Sequence, residues 1–338
     1  MPGSRSRALV EVTGQFQFRT YCRQFRTPLR THHRVWQQRQ GIIVRLQAPM
    51  GQVSFGEIAP LPEFGSEPFE AAEQFCRSLP VVAAETFLQH VPVAYPATRF
   101  GLESAWRSLI TPPVTPPRQR SPSNCCALLP TGSAALSTWQ PLWQQGFRTF
   151  KWKLGVAAWQ PEKQALIQLC QALPTDARLR LDANGGLNLD TTHQLLNLCD
   201  RLPAGTIEFV EQPLPPAQFA ELLAIAQTYR TPIALDESVA SLEQLHACHA
   251  ADWPGIYVLK ASILGSPTEL DALIRDANLD VVFSTVFETS IGRQHCLHLA
   301  AAIANPNRAL GFGTQHWFED DGLDDPDPER VWQHLLSN

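Results

Sequence analysis

From residue 125 onward, short apolar segments alternate with helical stretches, and five successive segments end in a charged residue. The segments are Cys125–Leu129, Arg148–Lys153, Arg178–Asp182, Ile207–Glu211, Ile233–Asp236, Tyr257–Lys260, Val281–Thr285 and Leu310–Gly313. Helical patterns fill the gaps, among them Pro161–Ala172, Thr191–Arg201, Ala217–Tyr229 and Ser241–His249. Lys151 and Lys153 close one segment; from Lys153 the next charges, Asp182, Glu211, Asp236, Lys260 and Glu288, follow at 29, 29, 25, 24 and 28 residues. Each interval is one strand–helix unit long. Such alternation implies a parallel sheet. Seven or eight units in about 200 residues fit a TIM-like (β/α)7–8 barrel, in which equivalent strand ends converge on one mouth. An open doubly wound sheet is the rival architecture, but neither G-x-G-x-x-G nor a P-loop is present to support nucleotide binding.

The first part of the chain reads differently. Ala8–Arg19 alternates and Gly41–Leu46 is a second strand candidate, whereas residues 67–110 look helical, with Ala71, Phe75 and Leu79 on one face. Strands followed by helices describe an α+β unit. The proline-rich run Thr111–Pro117 marks a boundary. The expected organisation is an α+β capping domain over residues 1–112, a barrel over 118–315, and a tail, 316–338, that packs back on the cap. A segment near residues 20–40, including His32, His33 and Arg34, is expected to be a loop, either covering the barrel mouth or simply solvated.

Three acids on successive strand ends repel one another unless a cation lies among them. Oxygen ligands without histidine or cysteine favour a hard ion, magnesium above all, with manganese as a substitute. A strand-end acid is also a common helix N-cap, but three in succession favour the metal, held by Asp182, Glu211 and Asp236. Lys153 and Lys260 flank this run. A lysine close to a divalent cation is pushed toward its neutral, basic form by like charge and desolvation. Metal and base together can remove the weakly acidic proton next to a carboxylate and stabilise the enediolate that results. Ordinary ion-paired surface lysines are the plain alternative, but Phe150–Leu154 and Val258–Lys260 are strand contexts unlike a surface.

Composition narrows the field. With 44% hydrophobic residues, 17% charged residues and a net charge of -5, the chain lacks the basic face of a nucleic-acid binder. No apolar run approaches the roughly 20 residues of a membrane span. No secretory leader is read at the first residues, and eight scattered cysteines without C-x-x-C suggest buried, reduced thiols in a cytoplasmic protein. The partner expected is a small carboxylate substrate; oligomeric state is not readable.

Five motifs, Lys151-Trp152-Lys153, Leu181-Asp182-Ala183-Asn184-Gly185, Val210-Glu211-Gln212-Pro213, Leu235-Asp236-Glu237-Ser238 and Leu259-Lys260-Ala261-Ser262, stand in order at barrel spacing. With them the chain resembles the enolase superfamily, and within it the muconate lactonizing enzyme subgroup. The stretches Arg26–His32, Arg39–Leu46, Gly56–Pro62 and Ser284–Gly292 resemble a dehydrating branch that serves menaquinone and phylloquinone biosynthesis. The resemblance implies that Asp182, Glu211 and Asp236 bind magnesium. Lys153 would take the proton from a cyclohexadiene carboxylate and pass it to the departing hydroxyl. Lys260 would stabilise the enediolate from the opposite face. Lys151 would place the carboxylate or tune Lys153, Glu237 would steady ligands or a lysine, and the segment from Ser284 to Ser290 would bind the substrate's succinyl side. Asn184 is read as a turn residue, and the role of Arg180 stays open.

Two other chemistries fit less well. N-acylamino acid racemisation could use the same two lysines, whereas a dipeptide substrate would call for an acid pair on the final strand, which reads Leu310-Gly311-Phe312-Gly313-Thr314. A Schiff-base lysine aldolase or a non-catalytic binding barrel leaves the three strand-end acids unexplained.

Overall fold

The computed structural model describes residues 13–111 except 31–34, and residues 121–336. Most of the proline-rich run, the start of the first strand, and His32, His33 and Arg34 therefore lie outside the described residues.

The cap begins with two long strands, β1 (Thr13–Arg30) and β2 (Val35–Gln47), paired antiparallel. Residues 20–30 and 35–40, expected to belong to a loop, are thus strand. Its register slips between Gln24↔Gln38 and Leu29↔Trp36, a bulge that accommodates Pro28, which has no N–H for a ladder. β3 (Val53–Ile58) and β4 (Val82–Ala84) complete a sheet of order β3-β2-β1-β4. Helices α1 (Phe69–Ser78) and α2 (Pro96–Ile110) cover one face. On α1 the fully buried residues are Ala72 and Cys76, with Phe75 and Leu79 packed at the edge, so the core face is turned slightly from the one expected. α2 lies close on β3: a Cβ on Gly56 would meet the Gly101 carbonyl oxygen at 2.1 Å, so only glycine fits there.

The second face of the cap sheet is also covered. Tyr21, Ile43 and Phe55 pack with Ile291, Leu323, Val331 and Trp332. Burial on both faces explains why Ile42, Ile43 and Val44 run without alternation. The C-terminal tail supplies much of this cover. Phe25 stacks on Phe318 at 4.6 Å, and buried Arg23 pairs with Asp321 and Asp324 at 2.9 and 2.8 Å.

The barrel strands are β5 (Cys125–Leu128), β6 (Thr149–Lys153), β7 (Arg178–Asp182), β8 (Ile207–Glu211), β9 (Ile233–Leu235), β10 (Ile256–Leu259), β11 (Val281–Phe283) and β12 (Leu310–Gly313). They form one eight-stranded parallel sheet in which β12 neighbours β5, and a Ser284↔Gly311 bridge brings β11 to β12. Helices α3 (Ala135–Gln144), α4 (Trp159–Ala172), α5 (Leu189–Cys199), α6 (Phe219–Thr228), α7 (Leu242–Ala250), α8 (Pro267–Ala277) and α9 (Ser290–Ile303) surround it, and α10 (Pro328–His334) belongs to the tail. Asn188, Ser241, Ser266 and Thr289 are the side chains that cap α5, α7, α8 and α9.

Two cap carboxylates fix the cap to the barrel. Glu57 of β3 accepts hydrogen bonds from the N–H groups of Thr289 and Gly292 at 3.0 and 2.8 Å, at the start of α9. Glu103 of α2 accepts from Ser266 and Thr268 at the start of α8. Both place negative charge where helix dipoles favour it. Arg39 of β2 donates to the carbonyl oxygens of Pro60 and Val286, at 2.7 and 2.9 Å. The eight cysteines are free thiols; five are buried, but Cys22 is exposed on the hairpin, against the expectation that all are core residues.

Candidate active site

Alternation along β6 sends Lys151 and Lys153 to the same side, into the barrel. Neighbouring register sets Lys153 beside Asp182, and Asp182 beside Glu211. The result is a buried set: Asp182, Glu211 and Asp236 are 1%, 1% and 4% exposed. The Lys151 ammonium lies between two of these acids, 2.9 Å from Asp182 and 2.8 Å from Glu211. Lys153 stands 3.3 Å from Asp182 and also donates to the Asn184 side-chain oxygen. Lys260 pairs with Asp236 and lies 4.0 Å above the ring of Phe64, a cap residue. None of the three acids is a helix cap of the ordinary kind; all three turn inward to ammonium groups.

The charges in this cluster are strongly coupled. Burial opposes the charge on Lys151, but Asp182, Glu211 and Asp236 together hold it well above its ordinary value. Proximity to other lysines therefore does not make this one a base. Burial, with Asp182 and Asp236 as neighbours, pushes the Glu211 carboxyl up to about 7 despite the adjacent Lys151. Burial also raises Asp236, against the pull of Lys260. Among the described residues no three acids, histidines or cysteines are already drawn into a metal-binding cluster, because ammonium groups fill the spaces between the carboxylates. The donor chemistry still fits a hard divalent ion. Three buried carboxylates supply only oxygen, the donor such an ion takes.

A cavity opens over this cluster. Leu29, Trp36, Leu61 and Phe64 close it from the cap, while Ser284, Thr285, Val286 and Phe287 form a wall above β11. Gly311 and Thr314 line it from β12, and a Cβ on Gly311 would meet Ser284 Oγ at 2.8 Å, leaving no room for an acid there. Arg180 reaches the cavity below Asp182 and makes a two-pronged ion pair with buried Glu208 at 2.7 and 3.2 Å. Arg308 joins Glu208 from the other side at 3.1 Å.

Several sequence expectations need revision. Asn184 does form a turn, at φ +45°, yet it also lines the cavity and bridges Lys153 to Glu237. Glu237 lies behind Asn184, accepting its amide N–H at 3.1 Å, and does not line the cavity. Ser284 does line it; Ser290 does not, being buried as the first residue of α9 with its backbone N–H on Leu323. Glu288, another interval along the barrel series, points into a buried hydroxyl network and not into the mouth. Trp36 and Phe64 went unremarked in sequence because nothing local distinguishes a cavity aromatic from a core aromatic.

An eight-stranded parallel barrel carrying three strand-end acids between two strand-end lysines, with an α+β cap over its mouth, defines the enolase superfamily. The enolase C-terminal domain-like family matches residues 135–332, and the MenC N-terminal domain matches residues 15–109. The o-succinylbenzoate synthase of Thermosynechococcus vestitus is 42% identical over 325 residues, covering 95% of this chain and 99% of the relative. That of Thermobifida fusca is 29% identical over 307 residues, covering 90% and 83%. A crystal structure of o-succinylbenzoate synthase from Thermosynechococcus elongatus, complexed with magnesium in the active site, superposes with a TM-score of 0.86 at 40% identity, covering 94% and 99%. The chain belongs to the o-succinylbenzoate synthase family of the enolase superfamily. The L-Ala-D/L-Glu epimerase of Bacillus subtilis shares the fold, with a TM-score of 0.77 at 19% identity over 91% of each chain.

Proposed function

We propose that this chain converts 2-succinyl-6-hydroxy-2,4-cyclohexadiene-1-carboxylate to o-succinylbenzoate by syn dehydration, in menaquinone or phylloquinone biosynthesis. The observation that carries the reading is the pair Lys153 and Lys260, each tied to a different acid of one buried trio and both opening into one cavity beneath the cap. Lys153 accepts the proton from the carbon bearing the carboxylate. The ring C–O bond then breaks, and the same Lys153 ammonium returns its proton to the leaving hydroxyl. The C–O electron pair departs with the hydroxyl as water, and the pair left by the broken C–H bond becomes the ring π bond that completes the aromatic system. Lys260, held by Asp236 and backed by Phe64, faces the negative charge that builds on the substrate carboxylate between these steps. Asp182, Glu211 and Asp236 would hold magnesium, with manganese as a substitute. When bound, the ion supplies Lewis-acid stabilisation of that carboxylate. Lys151 keeps Asp182 ionised and holds Glu211 in place, Asn184 and Glu237 orient Lys153, and the Ser284–Phe287 wall takes the succinyl arm. Free thiols throughout fit a cytoplasmic setting.

The test is a spectroscopic assay in which purified protein, magnesium and the diene are mixed and loss of the diene is followed. Rapid loss that stops on chelation is the expected result. No loss by folded, metal-loaded protein would reject the dehydration and direct the next assay to N-acylamino acid racemisation.

A further inference from the structure

Glu288 is 3% exposed and stands behind the cavity wall. One of its carboxylate oxygens accepts from Ser262 Oγ at 2.6 Å, and the other accepts from Thr285 Oγ1. Ser262 lies two residues beyond Lys260, in the short turn Ala261–Ile263 that ends β10. Thr285 belongs to the wall itself and lines the cavity. Its hydroxyl also accepts the Phe287 N–H at 2.7 Å, and Phe287 is held at φ +66°. A bulky aromatic residue seldom adopts this left-handed conformation, which persists only where its surroundings impose it. A single buried carboxylate thus fastens the support of Lys260 on one side and a strained, substrate-facing wall on the other.

We infer that Glu288 is a positioning residue for the dehydration, setting Lys260 and the Ser284–Phe287 wall at a fixed separation. This rests on the reading above that both meet the substrate. The carboxylate is needed because two hydroxyls donate to it. A glutamine offers one acceptor oxygen and one amide nitrogen, so either Ser262 or Thr285 would lose the acceptor for its proton, and a buried donor without an acceptor is costly. Small displacements of positioned groups are amplified in catalysis, about a hundredfold for 1 Å.

The experiment is steady-state kinetics on the diene with magnesium for Glu288→Gln, Ser262→Ala, Thr285→Val and Thr285→Ser, with the melting temperature of each. Ser262→Ala should lower kcat about tenfold with KM within about twofold, since it loosens Lys260. Thr285→Val should raise KM about tenfold at nearly unchanged kcat, since it loosens the wall, and Thr285→Ser should restore it. Glu288→Gln should show both effects. If folded Glu288→Gln keeps wild-type kcat and KM, or if the two hydroxyl variants change only melting temperature, the inference is overturned. Should Glu288→Gln not fold, the kcat-against-KM split between Ser262→Ala and Thr285→Val decides alone. Lys260→Ala, assayed alongside, separates the two readings: wild-type turnover by that variant refutes the role of Lys260 itself, whatever Glu288 does.

Discussion

Lys153 and Lys151 stand two residues apart on the same strand, yet their surroundings assign them different work. Lys151 is locked between Asp182 and Glu211, whereas Lys153 touches Asp182 at 3.3 Å and the neutral amide of Asn184. On the proposed reading Lys153, held by one acid and one amide, is the lysine that exchanges a proton with the substrate. Lys153→Ala should reduce kcat by about 10²–10⁴, the range of losing a positioned acid–base group, with circular dichroism and melting temperature near wild type; measurable turnover at a tenth of wild type would sink this assignment. Asp236 and Glu237 are likewise adjacent but unequal. Asp236 joins the buried trio, while Glu237 holds Asn184. Titration calorimetry should show Asp236→Asn weakening magnesium affinity by more than about 10-fold and Glu237→Gln by less, in line with direct ligands outweighing their supports; equal losses would erase the distinction.

At the level of elements, the barrel strands bring their charges together because register aligns their ends, and the cap reaches the same place through helix starts. α9 shows how closely this is arranged. Its first turn receives Glu57 from β3, and its second carries His295, whose Nε2 hydrogen-bonds the Phe55 carbonyl oxygen of the same strand at 2.8 Å. Burial, with His298 and Arg107 nearby, lowers the His295 pKa from 6.5 to about 4. The folded state thus keeps this imidazole neutral where the unfolded chain would protonate it. Its stabilising contribution is complete above about pH 6.5, declines as pH falls toward 4, and changes no further below that. The loss should be on the order of 1–3 kcal/mol. Urea denaturation at pH 7 and pH 4.5 should therefore show a smaller decrease for His295→Gln than for wild type; identical decreases would remove His295 from the account.

For the whole molecule, cap and barrel are joined by buried polar clamps and a shared apolar cluster. Glu57 and Glu103 cap α9 and α8, Arg39 joins β2 to the cavity wall, and the tail after β12 packs between β1, β2 and α9. The cavity has one side from each unit, so neither forms the site alone. Calorimetry should show one cooperative unfolding transition, shifted upward as a whole by magnesium. Two resolved transitions, only one of them moved by the metal, would show that the clamps do not couple the units.

Alternation along the chain is enough to specify a parallel series of strands and the residues at their ends, while closure into a barrel rests on the pairing of the last strand with the first. Regular strand–helix spacing leaves little freedom in where strand ends fall, so Lys153, Asp182, Glu211, Asp236 and Lys260 were legible from their intervals alone. The tertiary structure decided what spacing cannot carry. Residues 20–30 and 35–40 do not read as strand because their inward positions include the charged Arg23 between Tyr21 and Phe25, which interrupts the apolar period that marks a strand. Ser290 and Glu288 lie past a strand end, where the chain turns away from the mouth and interval counting no longer predicts direction. Asn184 and Phe64 entered the site through contacts between distant segments, and the separate tasks of Lys151 and Lys153 follow from which carboxylates the folded barrel sets beside each. Periodicity is a local property of the chain; the electrostatic environment of a side chain is created by neighbours that only folding brings near.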